Sequence, residues 1–319
     1  MRLKTPLWRR TPPAIFPVCL GFLGLGLAWR NAATVFSLPT WIGDLLIGVA
    51  TAYFIFFLLL YLLKLAARPL VLLEDLEIAT ARAGVSALPM SLMLLAAALL
   101  PFGVLVVQIW WAGVALQVLV MVLAANAITT GPIEARHFSP FMYLTFVGLV
   151  VAPIAGIPLG YLRLSQGLGF FALGTFVVIT VGYGLRLLRV KPPVPLRPSM
   201  AIILAPISLL AMTFVQQEQE MAFLVFYYFA WIIAVMLLVL SRWMMTGGWT
   251  PNWGAFTFPI AAFSNLQVMA INRNLGILPE IALFGGLAIG TPLILYIVYR
   301  ATRAFLTGEL AKKSAAATA

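Results

Sequence analysis

Residues 41–63 read WIGDLLIGVATAYFIFFLLLYLL, and residues 104–124 read VLVVQIWWAGVALQVLVMVLA. Asp44 is the one charged residue in these two stretches. A helix needs ~20 apolar residues to cross the hydrocarbon core of a bilayer, and each stretch is long enough to do so. The whole chain of 319 residues is 63% hydrophobic and 9% charged, whereas soluble domains carry ~25% charged residues. The sequence therefore predicts an all-α integral membrane protein.

Charged and turn residues divide the apolar sequence into ten predicted transmembrane helices. The apolar stretch from 82 to 128 is too long for one span, so Leu100-Pro101-Phe102-Gly103 is expected to form a tight hairpin turn within it. The chain then divides into an N-terminal segment (1–12), a ten-helix domain (13–307) and a C-terminal tail (308–319). The predicted helices are 14–31, 40–66, 82–100, 103–128, 139–161, 166–189, 198–217, 220–245, 251–272 and 278–304.

The basic residues are unevenly distributed between the two sides of these helices. Arg30, Arg163 and Arg273 follow odd-numbered helices, and the other 17 of the 20 Lys and Arg residues fall on the opposite side, with both termini. Cytoplasmic loops carry an excess of Lys and Arg, so we expect both termini in the cytoplasm. This topology also accounts for the net charge of +11. No nucleic-acid-binding motif accompanies the charge, and no nucleic-acid partner is predicted.

Each odd-numbered helix contains an internal proline, whereas among the even-numbered helices only the tenth does, at Pro292. Proline frees a backbone carbonyl that cannot be left facing lipid. The pattern therefore predicts an inner ring of five kinked helices inside an outer ring of five straighter ones. Such a ring either encloses an axial pore or forms a packed bundle. The prolines are Pro17, Pro89, Pro153, Pro206 and Pro259.

The three arginines that follow odd-numbered helices would make the outer mouth of such a pore positive. A positive mouth concentrates anions within a Debye length of ~8 Å at physiological salt. The alternative is that Arg30, Arg163 and Arg273 are interfacial arginines with no role in transport. No ionisable residue is placed securely in the middle of a span, which favours passive conduction over a proton- or sodium-coupled carrier.

The sequence carries no pattern for a cofactor, a metal site or catalysis. It has one cysteine, Cys19, and one histidine, His137, and it lacks a P-loop and a His-Glu-x-x-His motif. The densest carboxylate group, Glu74-Asp75-x-Glu77, lies in a basic loop and is interpreted as a solvated surface. A membrane enzyme or the anchor subunit of a redox complex is therefore the least favoured class.

Four motifs occur in an order that resembles the tellurite-resistance/dicarboxylate transporter family, which includes bacterial TehA and the plant slow anion channels. The resemblance extends over essentially the whole chain. The motifs are residues 15–21 (IFPVCLG), 131–134 (GPIE) with 139–144 (SPFMYL), 196–202 (LRPSMAI) with 204–206 (LAP), and 253–259 (WGAFTFP).

The resemblance implies five helical hairpins with the odd helices around a central pore, commonly in a homotrimer. It also implies that a phenylalanine of the ninth helix occludes the pore, and the matching residue is Phe258. Phe256 lies on a different face of that helix, and Phe263 is the competitor if the register differs. The residues expected to line the pore are Phe16, Pro17, Leu20, Pro89, Thr145, Pro153, Pro206 and Pro259.

Two positions depart from the family pattern. Leu144-Thr145 stands where some relatives have Leu-Pro, so the kink of the fifth helix is expected at Pro153. Pro259 stands where some bacterial relatives have glycine. The resulting hypothesis is a gated channel for small monovalent anions in the bacterial inner membrane. The alternative is a carrier or exporter of tellurite or C4-dicarboxylates.

Overall fold

The computed structural model describes residues 6–131, 136–314 and 317–318. Within these residues all regular secondary structure is helical, and nine helical segments are long and apolar enough to cross a membrane. The prediction of an all-α membrane protein is confirmed. Pro132, Ile133 and Glu134, which belong to one of the family motifs, lie outside the described residues. The α-helices are α1 (Phe16–Val35), α2 (Trp41–Ala67), α3 (Val71–Glu77), α4 (Ala79–Leu99), α5 (Val106–Thr130), α6 (Phe141–Phe146), α7 (Ala152–Gly156), α8 (Leu162–Leu187), α9 (Leu204–Gln216), α10 (Glu220–Met244), α11 (Gly254–Asn272), α12 (Leu278–Thr307) and α13 (Glu309–Lys313).

The long helices fall into a buried set and an exposed set. In the segments containing α1, α4, α9 and α11, 72% to 89% of the most apolar window is buried, against 28% to 33% in α2, α5, α8, α10 and α12. The exposed set presents large apolar side chains such as Leu238 and Val239, which suits contact with lipid. The buried set is therefore the inner layer and the exposed set the outer layer.

The inner segments form a closed ring in chain order. Helix α1 packs against α4, α4 packs against the α6–α7 region, that region packs against α9, α9 packs against α11, and α11 returns to α1. Each outer helix packs against the inner segment that precedes it in the chain. The hairpin between α4 and α5 turns at Gly103, whose φ of +66° is a left-handed conformation that glycine adopts without strain.

The fifth predicted span differs from a single helix. Residues 139–161 contain α6, a 3₁₀ turn at Gly148–Val151, and α7. None of these pieces is long enough to cross a bilayer alone, so the count of ten long helices is not reproduced. Pro153 lies at the start of α7, where its missing N–H would have no partner within the helix, and it therefore begins a helix instead of kinking one.

The other prolines of the inner ring divide in the same way. Pro17 and Pro206 lie in the first turns of α1 and α9, each of which continues a 3₁₀ segment. Pro89 and Pro259 lie inside α4 and α11. Only Pro89 and Pro259 of the five predicted prolines therefore lie inside a helix, where a kink stays a prediction, and the remaining three prolines mark the change from 3₁₀ to α-helix.

A buried ion pair fastens both ends of the chain to the same face of the molecule. Lys64 Nζ lies 3.2 Å from Asp75 Oδ2 and 3.1 Å from the carbonyl oxygen of Thr11. Asp75 also accepts hydrogen bonds from the Tyr61 hydroxyl at 3.1 Å and from the backbone N–H of Ala317 at 3.0 Å. Burial raises the pKa of Asp75, and the Lys64 charge opposes that shift. We call this side the terminal face.

The interpretation of Glu74-Asp75-x-Glu77 as a solvated surface is wrong for its central residue. The Asp75 side chain is fully buried, and so is that of its partner Lys64. The physical reason is that α3 packs against α4 and α5 and turns one of its faces, with Val71 and Leu76, into the core. Arg82, at the start of the predicted third span, is also buried and donates to the Leu76 carbonyl at 3.0 Å.

Candidate conduction pathway

The five inner segments enclose two cavities stacked along the ring. The terminal cavity has a volume of about 70 Å³ and is lined by residues of all five segments, with Lys313 and Ser314 at the terminal face. The distal cavity has a volume of about 300 Å³ and opens toward the opposite face. Both have room for water molecules. Together they mark an axial path through the ring.

The lining residues of each long inner helix form a stripe at helical spacing. In α1 the stripe runs through Pro17, Leu20, Gly24, Leu27 and Asn31. These positions are three or four residues apart and therefore share one helix face. In α11 the corresponding stripe is Ala255, Phe258, Ala262, Asn265 and Met269.

Phe258 and Leu209 line both cavities, so the axial path is interrupted where these two side chains lie. Phe258 is 7% exposed. Its ring packs beside Gly24, where an added Cβ would lie 3.4 Å from the ring atom Cδ2. The absence of a side chain at Gly24 therefore makes the space that the ring occupies. An aromatic ring in an apolar constriction blocks ions by its volume and by excluding water.

The other two phenylalanines considered for this role point away from the axial path. Phe256 makes an edge contact with Trp253 at 5.9 Å between ring centroids, and Phe263 makes one with Trp231 at 5.4 Å. Both line a separate cavity between α10, α11 and α12. Phe258 is thus the phenylalanine of this motif whose ring faces the axial path.

Four of the eight predicted pore-lining residues border the terminal cavity, namely Pro17, Leu20, Pro206 and Pro259. Two others are placed elsewhere by the packing of helix pairs. Phe16 packs between α1 and α2, with its ring centroid 5.5 Å from that of Tyr61. The backbone of Pro89 faces Gly113 of α5, and the neighbouring Met90 lines the cavity instead.

The two predictions in the broken fifth segment are corrected in the same way. Thr145 is buried, its hydroxyl lies 3.0 Å from that of Ser86, and its carbonyl accepts from Gln117 at 3.0 Å. Pro153 is buried and absent from the walls of both cavities, where Ile154 lines the distal one. The break in this segment changes which side chains face the axis. The prediction assumed a regular helix from 139 to 161 and therefore assigned the wrong side chains to the axial face.

Two of the three arginines proposed for the outer mouth are paired with carboxylates. Arg30 is buried and contacts Asp44 Oδ1 at 2.6 Å, and it also donates to the carbonyl of Ala98 at 2.6 Å. Arg273 contacts Glu220 Oε2 at 3.1 Å. Arg163 is exposed at the start of α8 and has no ion pair among the described residues. Attraction of anions by this set stays a prediction, and Arg163 carries its unpaired charge.

Sequence reasoning missed Leu209 and the polar wall of the distal cavity. Leu209 lies three residues after Pro206 and therefore shares its face of α9. The predicted axial position of Pro206 could thus have been extended to Leu209. In the distal cavity Asn31 Nδ2 donates to Asn265 Oδ1 at 2.9 Å, and Asn265 Nδ2 donates to the carbonyls of Ala261 and Gly24 at 2.8 Å and 3.2 Å. The signal for these residues was polarity at the same helical spacing as Phe258.

Comparison with known proteins agrees with this architecture. The chain is 25% identical over 303 residues to the tellurite resistance protein TehA homolog of Haemophilus influenzae, covering 92% of this chain and 91% of that protein. The family model described as SLAC1, voltage-dependent anion channel, matches residues 10–303. The resemblance noted in the sequence is thereby confirmed. This is a family of channels and transporters, and the chain belongs to the SLAC1 voltage-dependent anion channel family.

Proposed function

We propose that this protein is a gated channel for small monovalent anions, closed in this conformation by Phe258. The observation that carries the proposal is that, among the described residues, Phe258 and Leu209 alone line both the terminal and the distal cavity. Removal of the Phe258 ring would join the two cavities. Family membership supports anions as the conducted species.

Hydrogen bonds to backbone carbonyl oxygens along the path favour the conduction of anions over that of cations. Exposed carbonyl oxygens coordinate cations in selective pores. Here the Thr257 hydroxyl lies 2.7 Å from the Gly254 carbonyl oxygen and 3.1 Å from that of Pro17, and Asn265 donates to two further carbonyls. These donors make additional hydrogen bonds to carbonyl oxygens of α1 and α11 and thereby weaken the attraction of these oxygens for cations. We propose that Arg163 adds a weak attraction for anions at the distal face.

The proposal is tested by currents of the wild type and Phe258→Ala in planar bilayers. Chloride and nitrate are the permeant anions, and gluconate is the large-anion control. The expected result is a larger current in the variant, with a reversal potential that follows the chloride gradient and a small current in gluconate. A reversal potential that follows the cation gradient would contradict the proposal.

A carrier of tellurite or C4-dicarboxylates is the second candidate, because the Haemophilus relative is named for tellurite resistance. A carrier would take up malate or tellurite into vesicles in a saturable, pH-dependent way, and Phe258→Ala would not produce a voltage-driven current. Uptake of that kind without current would favour this candidate over the channel.

We further propose a homotrimer in the bacterial inner membrane with both termini in the cytoplasm. The trimer rests on the resemblance, and the orientation rests on the distribution of Lys and Arg. The mass of the purified protein in detergent and the accessibility of a C-terminal tag to protease in inverted vesicles test these two points separately.

A further inference from the structure

A third cavity lies behind α11, on the side away from the axial path. It has a volume of about 490 Å³ and is bounded by α10, α11, α12 and the beginning of α9. We call it the lateral cavity. Its walls are almost entirely apolar and include Trp231, Leu238, Phe256, Phe263, Gly285 and Ile289.

The lateral cavity adjoins the helix that carries Phe258. Phe256 and Phe263 face it from α11, and Phe258 faces the axial path from the other side of the same helix. Pro259 borders both the lateral and the terminal cavity. Since proline removes the hydrogen bond to the carbonyl of Ala255, α11 is locally weakened at the point where the two cavities are closest.

Glycines of α12 allow its close contacts with α11 and also leave the space of the lateral cavity. A Cβ at Gly286 would lie 2.6 Å from Ser264 Oγ, and one at Gly290 would lie 2.7 Å from Ile260 Cγ2, so α12 touches α11 at these two positions. A Cβ at Gly285 would meet no atom within 4 Å. The gap therefore begins on the face of α12 that Gly285 occupies.

The lateral cavity opens outward between α10 and α12. At its rim Leu238 is 70% exposed and Ile289 is 65% exposed. In a membrane-spanning protein these side chains lie at the level of the hydrocarbon. Ser241 and Met244, close to the end of α10 on the terminal face, also line the cavity. The opening thus lies in the leaflet on the terminal face and is continuous with the lipid-facing surface.

The surroundings determine what fills this space. Water is disfavoured because it needs two to four polar partners and the walls are almost wholly apolar. An empty cavity forfeits the dispersion contacts of all its lining side chains. The solvent at the opening is lipid hydrocarbon. We infer that the lateral cavity is a binding site for an acyl chain of a membrane phospholipid from the leaflet on the terminal face.

A bound acyl chain would pack against the face of α11 that points away from the axial path. If Phe258 leaves the axial path by a backward shift of α11, the chain occupies the space into which the helix moves. This consequence rests on the proposed channel function, whereas the binding site itself does not. Binding is therefore tested directly, without current measurement.

The test uses the full chain in vesicles of phosphatidylcholine with or without bromine on the acyl chains. Bromine quenches tryptophan fluorescence on contact, and Trp231 lies on the cavity wall. The quenching lost in Trp231→Phe measures the Trp231 contribution against the background of the other tryptophans. We expect a clear contribution in the wild type and its loss in Gly285→Leu, whose side chain would enter the cavity.

Gly48→Leu is the matched control, because Gly48 lies on the outer helix α2 and a Cβ there also meets no atom within 4 Å. It should leave Trp231 quenching unchanged. Ala282→Leu, which enters the same cavity one turn earlier, replaces Gly285→Leu if that variant does not elute like the wild type in size exclusion. Absence of Trp231 quenching in the wild type, or its persistence in the filled variants, would overturn the inference. So would quenching that emerges only after the oligomer dissociates, since a second copy would then fill the cavity.

Discussion

Replacing Phe258 by alanine should raise anion current by about one to two orders of magnitude. The ring is 7% exposed and packs beside Gly24 between the two axial cavities. Opening by rotation of the ring exposes it to the water of the path, and exposing a buried phenylalanine side chain costs about 1.5–3 kcal/mol. At 1.4 kcal/mol per factor of ten, this cost favours the closed state by about 10- to 150-fold. The alanine variant removes the ring and with it this barrier.

The assay is macroscopic chloride current at a fixed voltage, normalised to the amount of protein in the membrane. Phe256→Ala is the matched control, since Phe256 lies in the same helix, is 8% exposed and faces the lateral cavity. It should leave the current near the wild-type level while losing a similar packing contribution. Equal increases in the two variants would refute the assignment of Phe258 as the gate and point to a general loosening of α11.

The remaining predictions concern the second constriction residue and two ion pairs. Leu209→Ala should raise chloride current less than Phe258→Ala, because it removes the smaller of the two side chains that separate the cavities; a loss of current would contradict the constriction. Asp75→Ala should destabilise the fold by about 3–5 kcal/mol, because it leaves the Lys64 charge buried and unpaired. The double variant Lys64→Met/Asp75→Leu should recover most of this loss in thermal unfolding, and a double variant as unstable as the single one would contradict the explanation. The double variant Arg273→Gln/Glu220→Gln should leave the reversal potential unchanged, because the two opposite charges are 3.1 Å apart and are removed together; a shift toward cation permeability would show that Arg273 attracts anions despite this pairing.

The lipid-spanning part of this fold could be predicted from the sequence because the bilayer imposes a length and a polarity on each helix. The stretch quoted at 41–63 falls in α2, and the stretch at 104–124 falls in α5 from Val106 onward. The division into inner and outer layers could also be predicted, because a proline inside a helix needs protein around it. Hydropathy and proline position are local properties, and they carry this information without knowledge of tertiary contacts.

The fifth segment could not be predicted in this way. Its hydropathy is that of a single helix, but the chain changes to a 3₁₀ turn at Gly148–Val151 before α7 begins. This change depends on contacts with α4 and α9, which no local pattern records. Burial of Asp75 was missed for the same reason, since its partner Lys64 belongs to α2 and both side chains are enclosed only when α3 packs against its neighbours.

At the candidate site, helix faces were more informative than proline positions. Leu20, Gly24, Leu27 and Asn31 follow Pro17 at successive spacings of three or four residues, and each borders one of the axial cavities. Pro89 shares no such stripe, because the face of α4 toward the axis carries Met90, Leu94 and Ala97.

The position of a proline in the first turn of an inner helix follows from the change from 3₁₀ to α-helix. The residues one and two turns later face the axis because of how the five inner segments pack around it. The five inner segments surround the axis, so the side chains that face the axis have to be small or able to move where a path is to open. Gly24 is small, Phe258 is the residue that we propose to move, and the two lie side by side at the contact between α1 and α11. A larger side chain at position 24 would crowd the Phe258 phenyl ring without removing it from the path. We therefore regard this pair, more than the prolines, as the feature that lets one aromatic side chain close the path.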